Sequence, residues 1–402
     1  MRILFLTHRL PYAPNRGDRL RAWHQLRFLS RQHEITLVSL VHDRDEAGHA
    51  PDLAPITRET VVAPVPGLRN RLRGALALPT NRPLTHLLLD SPSVRPQLER
   101  IVAEWPPDVV LAYCSGMARF ALEPPLARFP LVLDMVDADS AKWASLATTT
   151  RPPVGWVYCR EARLLQRFEA LAMRRAVATL VVNERERQAL LTFAPEARVV
   201  VVPNGIDIER FRPSPRDAGA TPGSPAVVFC GVMDYPPNEA GAVWLAHEVW
   251  PGIRQAQPAA QLWIVGARPT ARVKALQAAH SGITVTGSVD DVRPFLWNAA
   301  VSAAPLHTAR GIQNKVLEAV AAGLPAVVTQ AVWDGLPAEV RPACRLGDTA
   351  VAFGAHLREL LSLSPSQRTE AAAGADLAAL AWDHTLAPLS AILKEAAGGR
   401  GS

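Results

Sequence analysis

The stretch "RGIQNKVLEAVAAGLPAVV" (310–328) places Arg310, Gln313, Asn314, Lys315 and Glu318 together at the start of one helical pattern. Val316, Leu317 and Val320 give that helix an apolar face, Gly323 can stop it, and Pro325-Ala-Val-Val opens a buried strand. A strand over Val301–Leu306 leads in through a loop, His307–Gly311, to a helix starting near Ile312. The N–H groups of Gly311, Ile312 and Gln313 then point beyond the helix start, where backbone dipoles favour an anion. Lys315 adds a positive charge in the first turn. Glu318, one turn on, can accept hydrogen bonds from a vicinal diol such as a ribose. A diphosphate and a ribose are separated by about that length. The same spacing also fits a surface i, i+3 Lys–Glu pair, and spacing alone does not choose.

Other residues bear chemistry less sharply. Asp137-Ala-Asp139 in "DMVDADSAKW" (134–143) is a D-x-D, a pattern that can hold a divalent metal. Asp137 also suits capping the next helix, a role Asp139 or Ser140 could fill. Gly17-Asp18-Arg19 follows the first strand through a Pro-rich loop. A glycine there allows close backbone approach to a ligand, and the helix starting near Asp18 offers free N–H groups. His8 reads more readily as structural than as an acid or base. Neither GxGxxG nor GxxxxGK[ST] occurs, which disfavours a dinucleotide-dependent dehydrogenase and a P-loop NTPase. The four cysteines are scattered without a CxxC pair and read as reduced thiols.

The elements that must position these residues alternate along the chain. Strands are predicted at Ile3–Thr7, Ile35–Val41, Thr60–Val65, Val109–Tyr113, Leu131–Met135 and Thr179–Val182. Helices are predicted at Asp18–Gln32, Pro92–Glu104 and Gly155–Arg175. Alternation restarts with strands at Val227–Cys230, Leu262–Val265, Ile283–Thr286, Val301–Pro305 and Ala326–Thr329. The polar, Pro-rich 211–226 reads as a linker. Helical patterns follow at Pro365–Ala381 and His384–Ala397. The pattern predicts an α/β chain of two Rossmann-like parallel-sheet domains facing a cleft, 1–203 and 204–380, with 381–402 crossing back to the first. At 402 residues the chain exceeds one ordinary core.

From 199 to 330, several segments in order resemble glycosyltransferase family 4, the retaining nucleotide-sugar enzymes of GT-B fold. They are "VVPNGIDIERFRP" (201–213), "VVFCGVMDYPPNEAGAVWLAHEVWPGI" (227–253), "QLWIVGARP" (261–269), "ITVTGSVDDVRPFLWNAAVSAAPL" (283–306) and the 310–328 stretch. The N-terminal "THRLPYAPNRGDRLRAWHQLRFLSRQHEITLVSL" resembles a narrower group, sugar transferases of bacterial exopolysaccharide and PEP-CTERM/exosortase loci. The resemblance implies a sugar moved from a nucleoside diphosphate to a saccharide or lipid-linked acceptor, with no metal and no cofactor. It implies donor contacts at Gly311, Ile312, Gln313, Glu318 and Asn238, and catalytic roles for Arg310, Lys315 and Asp137. Gly17, Asp18 and Arg19 become an acceptor or phosphate loop. Glu318 matches the second glutamate of the family's Glu-x7-Glu pair, but Arg310 stands where the first belongs. "GVMDYPPN" (231–238) lacks the family's phosphate-binding cation, a charge that Arg310 and Lys315 could supply. A nucleotide-sugar-binding protein or an epimerase of the same fold is the alternative reading.

Charge and hydropathy bear on partners. Hydrophobic content of 49% with 20% charged residues fits a globular chain. No run reaches the ~18 apolar residues of a membrane span, and the N-terminal apolar run is too short for a signal peptide, so a cytoplasmic location is expected. Residues 1–200 carry 27 Lys+Arg against 20 Asp+Glu, and residues 201–402 carry 16 against 17. The basic excess therefore lies in the first half, and 68–82, "LRNRLRGALALPTNR", is basic and apolar together. Peripheral contact with an anionic membrane is expected from that half; nucleic acid is not an expected partner.

Overall fold

The computed structural model describes residues 1–12, 17–214, 225–309 and 312–399. Arg310, Gly311 and most of the expected linker lie outside them. The chain forms two compact units, Met1–Pro203 with Leu386–Ser402, and Asn204–Thr385.

The first unit is built from β1 (Arg2–Thr7), α1 (Gly17–Ser30), β2 (Glu34–Val41), β3 (Glu59–Pro64), α2 (Gly67–Ala77), α3 (Leu84–Leu88), α4 (Val94–Glu104), β4 (Val109–Tyr113), α5 (Ser115–Ala121), β5 (Leu131–Val136), α6 (Asp139–Thr149), α7 (Val154–Arg175), β6 (Ala178–Val181) and β7 (Val199–Val201). The strands form one sheet of order β3-β2-β1-β4-β5-β6-β7, every pair parallel. The central strands are apolar at successive positions because helices cover both faces, and Ile3, Leu4, Phe5 and Leu6 of β1 are all fully buried. Asp134 on β5 is also fully buried. It accepts from Arg21 Nε at 2.7 Å and from Gln25 Nε2, fastening α1 to the sheet. A buried carboxylate needs such partners to remain tolerable.

The second unit holds β8 (Ala226–Cys230), α8 (Pro236–Trp244), β9 (Gln261–Val265), β10 (Ile283–Gly287), β11 (Val301–Ala304), α9 (Asn314–Ala321), β12 (Ala326–Val328) and β13 (Cys344–Leu346). Its parallel sheet has the order β10-β9-β8-β11-β12-β13. The chain then returns to the first unit with α10 (Ala387–Gly398), which packs against β4 and β5. Arg198 and Glu395 pair at 2.5 Å within that unit.

Two helical expectations need correction. The helix expected over Pro365–Ala381 stops at Ala373. Ser364 and Gln367 form a capping box at its start, but beyond Gly374 the Asp376 N–H turns to Glu339 O and its carboxylate accepts from Ala379. The one expected over His384–Ala397 is split into a short turn, Trp382–Thr385, and α10, whose Pro388 sits in the first turn.

Candidate functional site

In each sheet the strand order reverses once, and loops on either side of such a reversal part to leave a crevice at the carboxyl ends of the strands. In the second unit the reversal falls between β8 and β11. The loop and helix after β8 carry Asn238, and the helix after β11 carries Lys315 and Glu318. Topology therefore brings together residues 77 positions apart in sequence.

Lys315 does not pair with Glu318 along the helix. Its Nζ reaches across to α8 and donates to Asn238 Oδ1 at 2.7 Å, and it lies 5.0 Å from the centroid of the Phe229 ring. Asn238 is buried and held by its other amide atom, Nδ2 donating to Val232 O at 2.8 Å. An ammonium has three N–H donors, and among the described residues Asn238 is the hydrogen-bond partner of this one. Burial brings the Lys315 pKa down to about 8, with Cys230 and Glu318 opposing. Burial likewise pushes Glu318 up to about 7, against the pull of Arg210 and Lys315. No hydrogen bond reaches the Glu318 carboxylate among the described residues. A charge that solvates poorly and keeps bonding capacity is suited to meet a ligand. The Cys230 thiol beneath them is pushed up to about 12, mainly by burial and then by Glu318, so it remains protonated.

The helix starts two residues later than the sequence predicts. Gln313, not Ile312, takes the N-cap position with extended backbone, and its carbonyl accepts from Val316 N–H at 2.9 Å. Ile312 packs on the apolar core of the unit. Close backbone packing shapes the floor. Gly266 has φ +143, and a Cβ there would stand 1.8 Å from Gly231 O. Sequence reasoning passed over Arg210, on the short helix Ile208–Phe211, which acts on Glu318 from the chain segment entering the domain. It also passed over Arg268, which holds Asp234 of the "GVMDYPPN" loop at 2.6 Å. That loop has no cation of its own but is met by one from the loop after β9. Arg210 and Arg268 stand in the segments quoted above, and only long-range pairing singles them out.

In the first unit, Asp137 and Asp139 flank one ammonium: Lys142 Nζ lies 2.7 Å from Asp137 and 3.3 Å from Asp139. Ser115 Oγ donates to Asp139 at 2.7 Å. Val136, just before, has φ 65, an uncommon conformation for a β-branched residue, at an irregularity in the β5–β6 register. Neither aspartate caps α6. Glu169 of α7 does so instead, accepting from Ser140 N at 2.9 Å and from Ser140 Oγ, and burial pushes it up to about 7. Gly17 and Asp18 form the first turn of α1. Arg19 is turned inward, contrary to the expectation of a phosphate-facing side chain. It is buried, pairs with Glu46 at 2.9 Å and donates to Tyr12 OH at 2.6 Å. Glu46 also accepts from Leu10 N–H, so this ion pair holds the loop after β1.

Comparison with known proteins agrees with this architecture. Residues 16–205 match the family model described as "glycosyl transferase 4-like domain", and residues 224–362 match "glycosyl transferases group 1". Together the two matches take in most of the chain, and both describe glycosyltransferase domains; the two parallel-sheet units have the GT-B fold. A GDP-mannose-dependent alpha-(1-6)-phosphatidylinositol monomannoside mannosyltransferase of Mycobacterium tuberculosis, found in two strains, is 28% identical over 258 residues. That match spans 60% of this chain and 63% of the relative's length. Among solved structures, sucrose-phosphate synthase from Thermosynechococcus elongatus superposes with TM-score 0.68 at 15% identity, covering 98% of both chains. Anabaena HepE in complex with UDP and glucose gives 0.64 at 13%, covering 98% of this chain and 100% of that one. At these identities the two structures speak to the fold.

Proposed function

We propose that the protein transfers a sugar from a nucleoside diphosphate donor to a saccharide or lipid-linked acceptor. The observation that carries this reading is the half-buried Lys315 ammonium, held by Asn238 at the β8/β11 reversal with donor capacity to spare and Glu318 one turn away. Lys315 and the start of α9 hold the diphosphate, and Glu318 accepts from the ribose diol. Arg310, outside the described residues and five positions before Lys315 in sequence, is the second cation of this reading. Negative charge builds on the leaving diphosphate, so donors fixed there lower the barrier most. The departing phosphate itself takes the proton of the acceptor hydroxyl, and configuration is retained. Asp137 orients the acceptor or the donor sugar. No metal or cofactor has a part in this reading.

The names of the relatives support a nucleotide-sugar donor, since one is GDP-mannose-dependent and another was solved with UDP and glucose. The resemblance of the N-terminal segment supports a role in exopolysaccharide or cell-envelope glycan synthesis, at the cytoplasmic face of the membrane. A thermal-shift screen of UDP- and GDP-sugars, followed by donor hydrolysis and transfer assays, tests the proposal. Stabilisation by one donor together with slow hydrolysis of it is the expected result. Binding without hydrolysis or transfer to any acceptor would leave a sugar-nucleotide sensor instead.

A further inference from the structure

Helix α2 is amphipathic the wrong way round for a helix that merely packs on its own domain. Its inward face is small or polar: Asn70, Gly74 and Ala77 are buried. Asn70 Nδ2 donates to Asp90 O at 2.7 Å, and Gly74 leaves room for Leu88 of α3. The outward face carries Leu68, Leu72 and Leu76, spaced one turn apart and 77%, 62% and 80% exposed. Three leucines in a row on an exposed helix are costly to keep in water unless something covers them.

We infer that this face docks on an anionic lipid bilayer. The charge around the stripe selects that occupant. Arg69 and Arg71 flank the leucines on either side of the helix, both exposed, and no carboxylate pairs with either among the described residues. Arg82 extends the basic rim just beyond. Trp156, 69% exposed, stands one turn before Arg160 on α7. Arg160 is tied to the carbonyls of Ala77 and Arg82, so this part of α7 is joined to the end of α2. Leucines at the centre, arginines at the rim and a tryptophan at the edge match the layering of a bilayer surface: hydrocarbon, phosphate and interface. No helix among the described residues is long and apolar enough to cross a membrane, so contact of this kind is peripheral. The inference deepens the lipid-linked acceptor named above, since it holds the enzyme where such an acceptor lies.

Co-sedimentation with vesicles of phosphatidylcholine, alone or mixed with phosphatidylglycerol, tests it on the full chain. Wild type is expected to bind the mixed vesicles at low salt and to be released as salt rises. The Leu68→Ser, Leu72→Ser, Leu76→Ser variant should bind roughly a hundredfold or more weakly. Arg69→Gln with Arg71→Gln should lose roughly thirtyfold, and only on the anionic vesicles. These side chains are exposed, and circular dichroism verifies that the variants fold. Equal binding by wild type and the serine variant would overturn the inference. So would a wild-type dimer that the serine variant dissociates, with no vesicle binding by either. Donor hydrolysis without vesicles separates this from the transferase reading. Hydrolysis without vesicle binding sinks the docking alone, and vesicle binding with no donor bound or hydrolysed sinks the transferase alone.

Discussion

Nucleotide binding should be linked to protons, with a sign that reverses across neutrality. In the free protein the Glu318 carboxyl titrates near pH 7 because burial disfavours its charge. If it accepts from the ribose diol it must be ionised when the nucleotide is bound. At about pH 6 roughly nine in ten molecules carry the proton, so binding should release close to one proton. Affinity should fall about tenfold per unit as pH drops below 7. Lys315 titrates near 8, and a bound diphosphate would hold it charged, so above pH 8 binding should take protons up. Isothermal titration of UDP and GDP in buffers of differing ionisation enthalpy measures both. The Glu318→Gln variant should lose the release at pH 6 but keep the uptake above pH 8, with binding weakened by ~1–3 kcal/mol. The same substitution should stabilise the unliganded fold. A carboxyl raised from 4.5 to about 7 in the folded state costs nothing below pH 4.5. Its cost grows through the interval and is complete above 7. Each unit is worth ~1.4 kcal/mol, so Glu318→Gln should raise the unfolding free energy at pH 8 by up to ~3 kcal/mol and leave it unchanged at pH 4. A pH-independent Kd, shared by wild type and Glu318→Gln, would remove Glu318 from the site.

Asn238→Ala should leave the Lys315 ammonium without its hydrogen bond and lower its pKa further. Donor affinity at pH 8 should drop by ~1–2 kcal/mol, with less effect at pH 6, as read by titration at both pH values. Gly266→Ala should lower the melting temperature sharply, a loss of ~2 kcal/mol or more, because its φ is +143 and the added carbon meets Gly231 O. Activity is expected to survive EDTA, since Lys142 already stands between Asp137 and Asp139. Loss on chelation and recovery with manganese or magnesium would give those aspartates a metal.

Much of the fold was legible because a strand buried on both faces writes itself as a continuous apolar run, as Ile3–Leu6 and Val109–Tyr113 do. The strands that escaped, β7 and β13, are three residues each at sheet edges, too short to carry a pattern. The candidate site was half legible. Lys315 and Glu318 share one helix and so share one stretch of sequence. Asn238 was visible only through a family resemblance, and the reach of Arg210 toward Glu318 depends on how distant segments fold together. Arg19 shows the opposite case: a Gly-Asp-Arg at a helix start reads as a ligand-facing loop, and only the fold supplies Glu46 to claim its arginine.

The return of the chain through α10 sets a timetable for its birth. All seven strands of the first sheet leave the ribosome before the second unit begins, but the helix that packs on β4 and β5 is encoded after it. At the ordinary pace of 5–20 residues per second, synthesis of the intervening unit takes roughly ten to forty seconds. For that interval the nascent first unit waits with part of its sheet uncovered, so its packing is finished only after the whole second unit has been made.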